Sequence, residues 1–215
     1  MRNPIVLVAD DEPATRLFAS RVLQKAGWHV VEAADGEAAV ALAMCEPVDL
    51  VVMDIDMPRL DGCAATAQIR AAGGAIASVP ILAYSLVCLD DGALAERGFD
   101  GRLPKPCAPE ALLAAVSAWH PSVGLADTQR LKAVFGEDEL TPLIARFRDQ
   151  LVEALAALDT GDTGMAHRIA GVAGTLGFAQ VSESWLRLSE GDGAARDDAR
   201  RLARLAIAAI DRDAI

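Results

Sequence analysis

The chain has 215 residues, 53% hydrophobic and 24% charged, enough to bury one large core or two small ones and unlike a disordered chain. Its net charge is −11, with −7 on residues 1–120 (16 acids, 9 bases) and −4 on residues 121–215 (15 acids, 11 bases), so neither half suits a nucleic-acid binder or an anionic membrane surface. Cys45, Cys63, Cys88 and Cys107 are widely spaced without a CxxC pair and read as reduced, buried thiols of a cytoplasmic protein; the N-terminus does not read as a signal peptide, and no apolar run approaches a membrane span.

The first half alternates strand and helix patterns. IVLVA (5–9) is a β-branched apolar run that predicts a strand ending at Asp10-Asp11. Residues 13–26 place Leu17, Phe18, Val22 and Leu23 at helical spacing and stop at Gly27. Strands at 29–33, 49–54, 79–85 and 101–104 then alternate with helices at 36–45, 62–72, 91–98 and 109–119. Five strands alternating with five helices predict an α/β domain over 1–120, a parallel sheet covered on both faces.

Past His120-Pro121-Ser122 the strand patterns cease, and 121–126 reads as a linker. Over 127–215 the patterning predicts a short leading helix at 128–135 and a long amphipathic one at 138–159. Leu140, Leu143, Ile144, Phe147, Leu151, Leu155 and Leu158 form the apolar face of the long helix. Helices at 163–176, 179–190 and 194–212 follow, joined by short Gly/Asp turns, which predicts an all-α antiparallel four-helix bundle.

In an open parallel sheet, functional residues gather beyond the carboxyl ends of the strands. Asp10 and Asp11 follow the first strand, Asp54 ends the third, Ser85 ends the fourth and Lys105 follows the fifth. With the strand order 2-1-3-4-5, these side chains converge. Three packed carboxylates need a compensating cation, and a hard divalent ion such as Mg²⁺ suits oxygen ligands. Metal, ammonium and hydroxyl together suit a dianionic phosphoryl group, with a carboxylate as its acceptor. Singly, each residue has a plainer reading: a DD pair is often a helix cap, and Lys-Pro is often a turn.

VLVADDE, VVMDIDMPRLDG, PILAYS and LPKPC resemble the receiver domain of two-component response regulators, over nearly all of residues 1–120. The resemblance implies a flavodoxin-like fold with Asp54 as phosphoacceptor. It implies Mg²⁺ held by Asp10, Asp11, Asp54 and the backbone carbonyl of Asp56. It also implies Ser85 as switch hydroxyl, Lys105 as phosphate-binding lysine and a cis Lys105–Pro106 peptide. Two positions depart from the family pattern: Leu86 stands where a small residue is usual, and Arg102 where an aromatic is usual. The DxD of VVMDIDMP is also similar to haloacid-dehalogenase phosphatases, but that family places its acid pair after the lysine, and 120 residues leave no room for a substrate cap.

AHRIAGVAGTLGF (166–178) carries His167, with Gly171 and Gly174 at i+4 and i+7 on the same helix face and Ala170 beside them. Small residues there leave the imidazole clear for a partner's surface, while Ile169, Val172 and Leu176 face the bundle. The plainer reading is a packing histidine on a tightly crossed helix. Gly177 predicts a left-handed helix end. H-x-x-x-G-x-x-G-x-L-G within four helices resembles the histidine phosphotransfer (HPt) domain, over 127–215. That implies His167 as a phosphoacceptor exchanging with receiver domains. The family often has a lysine three residues after the histidine; here it is Ala170, and Arg168 is expected to point about 100° away from His167.

No segment resembles a kinase ATP site. The expectation is a cytoplasmic phosphorelay protein that is not itself an enzyme. It would be charged at Asp54 by a histidine kinase or other phosphohistidine donor, and would exchange at His167 with the receiver domain of another response regulator. The alternative is an adaptor with a phosphorylatable receiver and an inactive docking bundle.

Overall fold

Short apolar strands wound between helices build the first half of the computed structural model, which describes residues 3–86, 91–119, 131 and 136–213. The elements are β1 (Ile5–Ala9), α1 (Pro13–Lys25), β2 (His29–Ala33), α2 (Gly36–Cys45), β3 (Leu50–Asp54), α3 (Gly62–Ala71), β4 (Ile81–Ser85), α4 (Asp91–Glu96), β5 (Gly101–Pro104) and α5 (Pro109–Ser117). The sheet is parallel, in the order β2-β1-β3-β4-β5. Central β3 and β4 are buried along their whole length, while the edge strands β2 and β5 are partly exposed, as covering both faces requires.

The chain divides into two compact units, Met1–His120 and Pro121–Ile215. In the first, Leu7, Val51, Met53, Ile69, Ile81 and Phe99 anchor a continuous apolar core. β4 starts two residues later than its sequence pattern, because a 3-10 turn (Ala75–Ser78) and Pro80 precede it. α4 stops at Glu96, two residues short of expectation, where Gly98 takes a positive φ of 86°. The described cysteines Cys45, Cys63 and Cys107 are free, but none is buried, so the expectation of buried thiols fails. Cys45 ends α2 in an exposed position, and Cys63 accepts a hydrogen bond from Arg97. Cys88 lies outside the described residues.

The second unit holds α6 (Glu137–Asp159), α7 (Ala166–Thr175), α8 (Ala179–Ser189) and α9 (Arg196–Asp213). Each packs on two others: α6 on α7, α7 on α8, α8 on α9 and α9 on α6. Phe147 of α6 meets Phe178 with ring centroids 5.4 Å apart. Trp185 of α8 donates its indole N–H to the Ala199 carbonyl of α9 at 3.1 Å. α7 begins three residues late because the Asp162 carboxylate accepts the Gly164 N–H and holds the segment in a turn. Gly177, at φ 81°, ends α7 in the left-handed conformation, and the Phe178 N–H returns to the Ala173 carbonyl. The leading helix expected at 128–135 falls outside the described residues except for Leu131, which is helical and buried.

Candidate functional site

Register builds the acidic site. Ala9 of β1 pairs with Met53 of β3, so the next residues, Asp10 and Asp54, emerge side by side at the sheet's carboxyl edge. Asp54 pairs in turn with Tyr84 of β4. Asp10 is fully buried and Asp54 is 5% exposed. Lys105 Nζ lies 2.6 Å from Asp54 Oδ2 and 2.7 Å from Asp10 Oδ2, bridging the two. The Lys105–Pro106 peptide is cis. The plain capping reading of the acid pair does not hold, because Glu12 caps α1. Asp10 Oδ1 instead accepts the Glu12 N–H at 2.9 Å, and Arg16 donates to the Asp10 carbonyl at 2.6 Å.

Burial pushes the Asp54 carboxyl above the usual carboxylate range, and the charge of Asp10 adds to the rise. The hydrogen bond and charge of Lys105 oppose it without cancelling it. For Lys105, burial works against the ammonium, yet bonds to Asp10 and Asp54 hold it above its ordinary value. Asp10, Asp11 and Asp54 each offer one carboxylate oxygen, and these oxygens lie within 4.8 Å of one another. Asp10 Oδ2 is buried, and the Lys105 ammonium stands 2.7 Å from it. An all-oxygen, negatively charged donor set of three clustered carboxylates fits a hard divalent cation.

Glycine and arginine pin the loop after Asp54. A Cβ on Gly62 would collide with the Asp54 carbonyl oxygen, and one on Gly36 with that of Leu60. The Gly62 N–H donates to the Ile55 carbonyl at 2.8 Å. Arg59, at φ 66°, pairs with Asp35, the residue that caps α2. The exposed Asp56 therefore sits on a loop fixed at both ends, its N–H reaching Asp54 Oδ1 at 3.3 Å.

A cavity of about 640 Å³ opens over Asp54, with Asp11, Asp56, Tyr84, Leu86 and Lys105 in its walls. Ser85 is not among its lining residues. Strand alternation turns Ser85 to the other face from Tyr84, where it lines a small neighbouring cavity with Arg102. Leu86 is 73% exposed at the cavity mouth. Tyr84 was missed by the sequence reading. Lys105 Nζ stands 4.8 Å from its ring centroid, and burial, the Cys107 thiol and the two carboxylates push its phenol up. The strand pairing Asp54↔Tyr84 is the signal that could have found it.

In the second unit His167 is exposed on the first turn of α7. It lines a groove of about 540 Å³ with Arg146 and Gln150 of α6 and Arg168, Gly171 and Thr175 of α7. The small residues divide in role. Gly171 faces open space, as access requires. Gly174 instead makes room for Ser182 of α8, whose hydroxyl would stand 3.0 Å from a Cβ. Ala170 is 3% exposed, not beside the imidazole on the open face, and its carbonyl accepts the Ser182 hydroxyl at 2.8 Å. The packing reading is therefore right for Ala170 and Gly174. Ile169 and Leu176 are buried in the bundle, while Val172 is half-buried in the groove wall. Leu143, expected in the bundle core, is 40% exposed in the groove, and Ile144 is only half-buried. Arg168 lines the groove with His167 despite its expected divergence, because a long side chain can reach back along the helix surface.

Acids and a lysine at the carboxyl edge of a 2-1-3-4-5 sheet define a receiver-type protein, and residues 6–117 match the response regulator receiver domain. The chain belongs to that family. It is 38% identical over 122 residues to the sensor protein GacS of Pseudomonas syringae pv. syringae, a stretch covering 55% of this chain and 14% of that protein. The chain thus spans a small part of that relative's length. The chemotaxis response regulator CheY4 of Vibrio cholerae superposes with a TM-score of 0.51 at 30% identity, over 54% of this chain and 98% of that one. The receiver domain of a Pseudomonas aeruginosa sensor histidine kinase, solved with a magnesium ion coordinated in its active-site cleft, gives a TM-score of 0.50 at 29% identity, over 54% and 97%. The family match lies within the first unit. Among the described residues, no helix is long and apolar enough to cross a membrane.

Proposed function

We propose that the chain is a two-site phosphorelay protein. Asp54 takes a phosphoryl group from a phosphohistidine donor such as a histidine kinase, and His167 exchanges one with a receiver domain. The observation that carries the Asp54 half of this reading is the buried bridge of Lys105 between Asp10 and Asp54, 2.7 and 2.6 Å away, under an open cavity; the His167 half rests on its exposed place in the groove. Asp10, Asp11, Asp54 and the backbone carbonyl of Asp56 would hold Mg²⁺. When bound, that ion offsets the charge of the acids and of the incoming phosphoryl oxygens. Asp54 supplies the attacking oxygen. A P–O bond forms as the donor's P–N bond breaks, and the electron pair returns to the donor imidazole. Lys105, already poised on Asp54, follows the negative charge onto the phosphoryl oxygens. The Ser85 hydroxyl, at the adjacent strand end, responds to the phosphorylated state by rotating toward it. Neither step uses ATP in this chain, which acts as acceptor and carrier.

A second reading is favoured by Ala170. Among the described residues no lysine attends His167, and position 170 is buried beneath α8. In that reading the second unit is a docking surface and only Asp54 is phosphorylated.

Phosphoryl transfer from a phosphorylated kinase, with Mg²⁺ and a panel of isolated receivers, separates the two. Phosphoaspartate is labile in base and phosphohistidine in acid. Label at both sites, each lost in its own alanine variant, is the expected result. Label confined to Asp54 against every receiver would overturn the relay and leave the adaptor.

A further inference from the structure

The second unit is acidic, yet its arginines are unevenly used. Among its described side chains, Arg148, Arg187, Arg200 and Arg201 pair with carboxylates. Arg196 donates to the Leu158 carbonyl, and Arg204 also has a partner. Arg146 and Arg168 are exposed and are absent from every described ion pair and hydrogen bond. Both line the groove beside His167. Among the described residues that groove has no carboxylate in its wall, although the sequence around it carries a net −4. Two unpaired guanidiniums from different helices, in a groove also lined by Gln150 and by apolar Leu143 and Val172, make a site ready for an anion from outside.

We propose that Arg146 and Arg168 are the anion-binding half of the His167 site, and that they hold the phosphoryl oxygens while an imidazole nitrogen is bonded to phosphorus. This rests on His167 being a phosphoacceptor. It replaces one lysine with two arms. Position 170 cannot supply a cation, because its side chain faces α8 and its carbonyl is taken by Ser182. Arg146 reaches the groove from α6 and Arg168 from the first turn of α7, so each can offer paired N–H donors to a different oxygen. The open space at Gly171 admits the phosphoryl group and the partner that carries it.

Phosphoramidate tests this without a cognate partner. The full chain carrying Asp54→Ala leaves His167 as the acceptor under study. An imidazole nitrogen attacks phosphorus and the P–N bond of phosphoramidate breaks. The electron pair leaves on nitrogen, which takes up a proton and departs as ammonia. Initial rates of acid-labile label are read against phosphoramidate concentration. Arg146→Gln and Arg168→Gln should each lower the rate about 5- to 10-fold, and the double variant about 30-fold or more. The corresponding lysine variants should stay within about 3-fold of the parent, since they keep the charge. Arg187→Gln, at an arginine paired with Asp192 and outside the groove, should leave the rate unchanged and controls for net charge. Melting curves check that the exposed substitutions leave the fold intact. Glutamine variants that label at the parent rate would overturn the proposal and leave His167 an acceptor. An equal loss in Arg187→Gln would also overturn it, as a general charge effect. A parent that takes no acid-labile label from phosphoramidate or from phosphorylated receivers would overturn the acceptor reading itself, and this proposal with it.

Discussion

Asp54 is 5% exposed, beside another buried carboxylate and under a shared ammonium, whereas His167 stands exposed on one helix with unpaired arginines for neighbours. The contrast separates two ways of presenting charged groups. In the first unit the charges are buried, so they must compensate one another before any ligand arrives, and chemistry is tied to stability. In the second unit the groups remain solvated, and removing one costs the fold little. The first arrangement is fixed by folding; in the proposed relay the second would be completed by what binds it.

The largest expected effect breaks the compensation. Lys105→Met leaves Asp10 and Asp54 facing each other without a cation, and should cost about 3 kcal/mol or more in urea melts lacking divalent ions. Millimolar Mg²⁺ should recover part of that loss; no recovery would count against the three acids as a cation site. Asp54→Asn should act in the opposite sense. Burial raises the Asp54 carboxyl, so its ionised form opposes folding, and a neutral side chain should make the protein more stable at neutral pH in urea melts. As pH falls through the raised folded value, the parent protonates and gains the same relief, so the gap between the two proteins should close.

Gly62→Ala comes next. Its Cβ would strike the Asp54 carbonyl, and overpacking of that kind costs about 1–3 kcal/mol. It should also abolish base-labile label although every acid and the lysine remain. Retained labelling would show that the peptide carrying Asp54 can shift without consequence. In the second unit, Ser182→Ala removes the hydrogen bond to the Ala170 carbonyl and should cost about 1 kcal/mol in thermal melts. His167→Ala should change stability by less than about 0.5 kcal/mol while removing acid-labile label. A large stability loss there would mean that His167 is a packing residue after all, and the contrast between the units would collapse.

The first site was legible because buried charge is rare and leaves a pattern. Asp10, Asp11, Asp54, Ser85 and Lys105 stand out at the ends of the first, third, fourth and fifth strands, and the strand order sets those strands in sequence across the sheet. Tyr84 was not legible, since an aromatic in a buried strand reads as core until the register sets it opposite Asp54. Ser85 was placed at the right strand end, but its face follows from alternation relative to Tyr84 rather than from its position in the chain. The second unit read less well. Leu143 fits the apolar periodicity of α6 and still lies exposed, because the groove interrupts the packed face. Ala170 and Gly174 looked like clearance for the imidazole and serve the approach of α8 instead. Arg146 could not be singled out, since nothing in the sequence tells which arginines will find carboxylates once the helices pack.

The loop from Asp54 to Gly62 is fastened by Arg59 to the residue that caps α2, and by close backbone packing to the start of α3. Ordering a loop costs conformational entropy, roughly 1–2 kcal/mol per residue for the backbone alone. Here that loss falls within folding rather than binding. A cation held at the Asp56 carbonyl, as proposed, would meet a surface that is already arranged, so the speed and strength of its capture would be set by charge and desolvation rather than by waiting for the chain to close around it.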